Sequence, residues 1–227
     1  MGGFFININR NEVLRYLGYK KQVLDENMEK LIDECINEIY SLAKSRYVYK
    51  FFDIQREEKK ILLKNSSMVL EGKDIVRHLQ YSDICVLMAV SLGSAVDMKI
   101  RYYEKIDMTK ALILDACAST AIEEVCDRAC VDIGEKLKNE NKKLTTRFSP
   151  GYGDLPINIQ KKFLEVLEAF KVIGVSTSSN SILIPRKSVT AVVGAVDKNR
   201  KIEKQNCINC NKYLSCEFRK GSVNCGN

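Results

Sequence analysis

Hydrophobic and polar positions along this chain switch between a helical and a strand period several times, and the switches predict its elements. From residue 10 to 46 the pattern is helical: Val13, Leu14 and Leu17 make a short apolar stripe, Gly18 interrupts it, and Leu31, Ile32, Cys35, Ile36, Ile39 and Leu42 recur at helical spacing. Residues 46 to 71 change character, with Tyr47–Phe52 and Lys60–Leu63 as short β-like runs. Asp74 to Gln80 predicts a short helix, and Ile84–Val90 is an apolar run of the length and composition of a buried strand. Ser94 is placed to cap a helix through Tyr103, and Asp107 to cap a longer one from Met108 to about Lys138. On that long helix Leu112, Ala116, Ser119 and Glu123 trace one face. Pro156 opens a further helix with Ile159, Phe163, Val166, Leu167 and Phe170 inward. Lys171–Ser176, Ser181–Ile184 and Ser188–Val196 then predict strands.

Helices, strands, helices and strands follow one another without a regular βαβ alternation. That order predicts an α+β fold, with long helices around an antiparallel or mixed β-sheet. A polar stretch, Lys198–Gln205, separates the body at 1–197 from a C-terminal tail at 198–227.

Between the two helical regions lies a segment of another kind, Arg147-Phe148-Ser149-Pro150-Gly151-Tyr152-Gly153-Asp154-Leu155-Pro156. It holds two of the chain's three prolines. Prolines lack the amide donor and glycines favour unusual backbone angles, so this is a shaped loop rather than helix. An arginine followed five residues later by a tyrosine on such a turn suits a small ligand bearing a carboxylate. The guanidinium forks onto carboxylate oxygens, main-chain groups reach polar atoms, and the phenol ring covers an apolar or cationic part. A rigid interhelical connection with a surface arginine is the plainer reading of the same residues.

Composition narrows the classes. At 227 residues and 25.8 kDa, with 45% hydrophobic and 29% charged residues, the chain is ordinary for a globular protein. No apolar run approaches the roughly 20 residues that span a bilayer. The N-terminus has neither a basic region nor a long apolar stretch, so no secretory signal and no membrane are expected, and cytoplasmic localisation is the expectation. The net charge of +7 is spread among acids at helical spacing, which favours a solvated face over nucleic-acid binding.

Nine cysteines fall into two sets. Cys35, Cys85, Cys117, Cys126 and Cys130 sit among apolar residues and read as small buried hydrophobes. Cys207, Cys210, Cys216 and Cys225 lie in the polar tail, where a Cys-x-x-Cys pair and two further thiols suit tetrahedral coordination. Zinc, an iron–sulfur cluster and a redox dithiol all remain open, and the gaps are not those of bacterial ferredoxins. His78, the only histidine, has no triad-like spacing around it and reads as a structural or surface residue. There is no phosphate-binding glycine motif, and no sign of hydrolysis by the chain's own side chains.

The segment Arg147–Tyr152, the helix after Pro156, Ile173-Gly174-Val175 and Ile184–Val189 together resemble the activation domain of cobalamin-dependent methionine synthase, which has an Arg-x-x-x-Gly-Tyr signature. Leu92–Asp97 and Asp107–Ala116 are similar to short stand-alone versions of that domain. The resemblance covers about residues 10 to 197 and implies a module that binds S-adenosylmethionine. Such a module supports reductive methylation of cob(II)alamin to methylcobalamin on a partner protein. It is an activation component and not the complete enzyme, so no catalytic residue is assigned. Carried over, Arg147 holds the methionyl carboxylate, main chain near Ser149 contacts the ligand, Gly151 keeps the turn open, and Tyr152 lines the pocket. Glu123 on the long helix matches the ligand-binding glutamate, with Glu124 one residue off. The implied partners are corrinoid-binding methionine synthase modules and an electron donor such as flavodoxin or ferredoxin. A cluster on the four tail cysteines would pass that electron itself. An activator of another corrinoid methyltransferase and a metal-tailed scaffold without ligand are the alternatives. Ser149 stands where alanine is common in the family, and Ser179 where an acid is common.

Overall fold

The computed structural model describes residues 6–19 and 23–200. The elements run α1 (Arg10–Tyr16), α2 (Glu26–Leu42), β1 (Arg46–Arg56), β2 (Lys60–Leu63), β3 (Val69–Glu71), α3 (Lys73–His78) and β4 (Ile84–Ser91). Then come α4 (Ser94–Ile106), α5 (Met108–Leu137), β5 (Lys142–Leu144), α6 (Gln160–Leu167), α7 (Ala169–Ile173), β6 (Ser176–Thr177), β7 (Leu183–Ile184) and β8 (Ser188–Asp197). The fold is α+β, as the element order predicts. Its described residues divide into two units, one from residues 6–19, 23–48, 89–131 and 168–189, the other from residues 49–88, 132–167 and 190–200.

The first unit is mainly helical. Asn9 accepts from the Asn11 amide at 2.9 Å to open α1, Asp25 from the Met28 amide at 2.8 Å to open α2, and Asp107 from the Lys110 amide at 3.0 Å to open α5. Ile32, Cys35 and Ile39 of α2 are fully buried, each large aliphatic side chain contributing about 1.5–3 kcal/mol. On α5 the buried set Ala111, Leu114, Cys117, Ala118, Ala121 and Val125 faces the core. Of the face traced from the sequence, Ala116 is buried, Ser119 and Glu123 are half-buried and Leu112 is exposed. Ser94 is not the cap of α4: that position is Gly93, at φ +86°, with no side-chain cap.

The expected strand Lys171–Ser176 is instead the short helix α7 followed by the two residues of β6. Glu168 adopts the left-handed conformation at φ +54°, ending α6 and restarting the chain as α7. That break turns Phe170 outward, 74% exposed, against the expectation of an inward stripe.

The second unit is built on a six-stranded sheet in the order β3-β2-β1-β4-β8-β5. The ladders β1–β2, β2–β3 and β5–β8 are antiparallel. Cys85–Met88 of β4 and Thr190–Val196 of β8 are buried at every position, the continuous apolar run of a strand covered on both faces. Ile61, Leu63, Leu70, Ile75, Leu79, Phe163 and Leu167 complete this core. Thr190 stays buried because its hydroxyl donates to Gln160 at 2.8 Å. Strand β5 lies in a stretch, residues 139–146, to which the sequence pattern assigns no element.

Candidate ligand loop

The Arg147 loop begins as an irregular extension of the sheet edge. Lys142–Leu144 pair in register with Asp197–Ala195, and the Thr145 amide continues to the Gly194 carbonyl at 2.8 Å. The return bond fails to form in the regular way: the Gly194 amide donates to the Thr145 hydroxyl, also at 2.8 Å. The next pair is Phe148 with Val192, which exchange both main-chain bonds at 2.9 and 2.8 Å. Two residues, Thr146 and Arg147, therefore oppose the single residue Val193. This is a β-bulge, a device that locally turns the strand and re-aims the side chains at the extra residue. Arg147 is half-buried there.

Past the bulge the chain folds into a tight turn. The Tyr152 amide donates to the Ser149 carbonyl at 3.0 Å, Leu155 to the Tyr152 carbonyl at 3.0 Å, and Gly151 to the Leu155 carbonyl at 2.9 Å. Gly151 has φ +91°, where an L side chain is strained, and a Cβ would stand 3.2 Å from Cδ1 of Ile157. Phe148 and Leu155 are buried and anchor the loop, while the Tyr152 ring is 61% exposed and meets Phe148 edge-on at 6.2 Å.

His78 supports the base of this loop. Its Nε2 lies 3.1 Å from the Thr145 hydroxyl and its ring 5.1 Å from that of Phe148. Burial pushes the imidazole down from 6.5 to about 4, outweighing a hydrogen bond with the Thr146 backbone that favours the charged form. A neutral, packed histidine is a structural one, the first of the two readings the sequence allows.

The far end of the loop is fastened to α3. The Asp154 carboxylate accepts from the Lys73 amide at 2.6 Å and the Asp74 amide at 3.0 Å, while Gly72, the N-cap of α3, brings no side chain of its own. Sequence reasoning missed this clip, because it joins positions about eighty apart in the chain.

The structure thus sets Arg147 in the bulge and Ser149, Gly151 and Tyr152 in the turn that follows it, all in the second unit. Glu123 lies half-buried on α5 in the first unit, where burial and then its charge raise the Tyr16 phenol. The thiols of Cys35, Cys85 and Cys117 are buried, and desolvation raises all three, that of Cys35 to about 11 and that of Cys117 to about 12. They stay protonated and inert. Cys126 is buried too, whereas Cys130 is only half-buried. Cys207, Cys210, Cys216 and Cys225 lie outside the described residues. Among the described residues no group of His, Cys, Asp and Glu side chains is arranged to hold a metal, and no helix is long and apolar enough to cross a membrane.

A solved structure of the MetH reactivation domain bound to AdoHcy superposes with a TM-score of 0.62 at 15% identity, covering 86% of this chain and 71% of that one. The chain has the fold of the MetH reactivation domain. No family model matches the sequence, and no curated protein matches it. At this identity the likeness is one of fold, and the function is carried by the chemistry of the site.

Proposed function

We propose that the chain binds S-adenosylmethionine at the Arg147–Pro156 loop and acts, in the cytoplasm, as a detached reactivation module for a cobalamin-dependent methionine synthase. The observation that carries this reading is the Arg-x-x-x-Gly-Tyr turn, built on a bulge at the sheet edge of a fold shared with a domain solved with AdoHcy. The reaction served is reductive methylation of cob(II)alamin on a partner, with the methyl group drawn from S-adenosylmethionine.

The residues of the turn suit such a ligand. Arg147 offers a planar fork for the methionyl carboxylate, worth more than a point charge because two bonds form at once. Gly151 leaves the space beside Ile157 without a Cβ. The Ser149 carbonyl already accepts from Tyr152, which shapes the turn and leaves a second lone pair for a ligand donor. The exposed Tyr152 ring provides a π-face for a cation such as a sulfonium. No general base is needed, since the partner's nucleophile in this reading is reduced cobalt, which has no proton to lose; the neutral, packed His78 fits that reading. Catalysis is then by positioning a bound donor. Glu123 is a separate candidate, carried by the sequence resemblance alone.

Residues 1–197 form the ligand-binding body in this reading, and 198–227 a tail whose four cysteines hold an iron–sulfur cluster or zinc. A flavodoxin or ferredoxin supplies the electron unless the tail cluster does so. Metal analysis of anaerobically purified protein tests the tail: stoichiometric zinc without iron contradicts electron transfer through it. The function is tested by mixing the protein with the oxidised corrinoid module of the partner, a chemical reductant and S-adenosylmethionine. The expected result is conversion of cob(II)alamin to methylcobalamin, read by its absorbance, with wild type and not with Arg147→Ala. Equal rates for the two would refute the role given to the loop.

A further inference from the structure

We infer that Asp154 is a positioning residue for the ligand turn, its carboxylate fixing Tyr152 by clipping the loop to the start of α3. The inference rests on the reading of the loop as the S-adenosylmethionine site. Asp154 itself lies outside the signature Arg147–Tyr152.

The turn hangs between two fixed ends. Upstream, Phe148 is buried and paired with Val192. Downstream, both oxygens of Asp154 are taken by the first two amides of α3. The approach is reciprocal. A Cβ on Gly72 would collide with the Asp154 carboxylate, and a Cβ on Gly153 with that of Asp74. Both glycines sit at positive φ, +136° and +51°, so side chains are excluded by backbone conformation as well as by space. Asp74 is held in turn by Arg77 at 2.8 Å, which neutralises one of two carboxylates that would otherwise repel across the clip. Only Gly153 separates Asp154 from Tyr152.

With α3 lacking a side-chain cap of its own, Asp154 does two jobs. It satisfies the amides of the helix start, and it removes the freedom of an exposed segment that would otherwise order only on binding. A turn already ordered binds its ligand more tightly than one that must be ordered by it.

The test has two arms, on Asp154→Ala and on Asp154→Asn, which keeps one acceptor and the same shape. The first arm is amide hydrogen exchange of ligand-free protein. Exchange at Tyr152 and Leu155, whose amides are bonded within the turn, should rise about tenfold or more in the alanine variant and less in the asparagine variant. Unchanged exchange overturns the inference whether or not S-adenosylmethionine binds. The second arm is a double-mutant cycle on the S-adenosylmethionine dissociation constant. Asp154→Ala should weaken binding by about tenfold in wild type and hardly at all when Tyr152 is already alanine, because its effect passes through that ring. Additive losses would reduce Asp154 to a helix cap and overturn the positioning role. If wild type itself fails to bind while exchange responds, the functional reading falls and the clip stands.

Discussion

Thr146 and Arg147 share one place in the ladder opposite Val193, so the guanidinium leaves the strand where regular alternation is broken. A fork at such a place is not replaceable by an ammonium. Arg147→Lys keeps the charge but should weaken S-adenosylmethionine binding about tenfold by calorimetry, in a protein that circular dichroism shows to be folded. An unchanged affinity would mean that charge alone suffices. His78 gives a prediction in pH. Its folded value, about 4, lies below the unfolded 6.5, so between them the unfolded chain binds the extra proton. Stability contributed by the neutral ring is therefore complete above about pH 6.5 and lost as pH falls towards 4, by on the order of 3 kcal/mol. Urea unfolding at pH 7 and pH 5 should show this slope, and His78→Gln should flatten it. Ser82 is the converse case: its hydroxyl is buried with no partner among the described residues. Ser82→Ala should leave stability unchanged or raise it by up to about 1 kcal/mol in the same assay.

Strand β8 shows how an element carries the site. Gly194 gives its amide to the Thr145 side chain and its carbonyl to the Thr145 amide, and the bulge begins there. A Cβ at Gly194 would stand 2.9 Å from Cδ2 of Leu79 and closer still to the Ser82 hydroxyl. Gly194→Ala should cost about 1–3 kcal/mol by denaturant titration, from overpacking. Apolar runs such as Ile84–Val90 and Ser188–Val196 are legible as strands because buried strands carry their signal in every residue. Elements decided by one backbone angle are not. Val172-Ile173-Gly174-Val175 has the composition of a strand, but the left-handed Glu168 restarts a helix that takes in Val172 and Ile173. The three residues of β5 are too short and polar to announce themselves, and Ser94 was the more attractive cap beside Gly93.

Across the whole molecule, the same division separates what a sequence encodes locally from what only the fold assembles. The turn at Pro150–Gly153 is legible because proline and glycine act on their own backbone. Its fastening is not, since Asp154 meets Lys73 and Phe148 meets Val192 across long stretches of chain. The α+β order was legible, and it is shared with the MetH reactivation domain at only 15% identity. That combination leaves ligand binding as the claim on which the account depends. The direct test is calorimetric titration of anaerobically purified protein with S-adenosylmethionine, run in parallel on Arg147→Ala. The expected result is saturable one-to-one binding by wild type and a loss of more than about tenfold in the variant, with circular dichroism showing both proteins folded at the titration temperature. Equal affinity in the two proteins, or none in wild type even with the corrinoid module present, would contradict it.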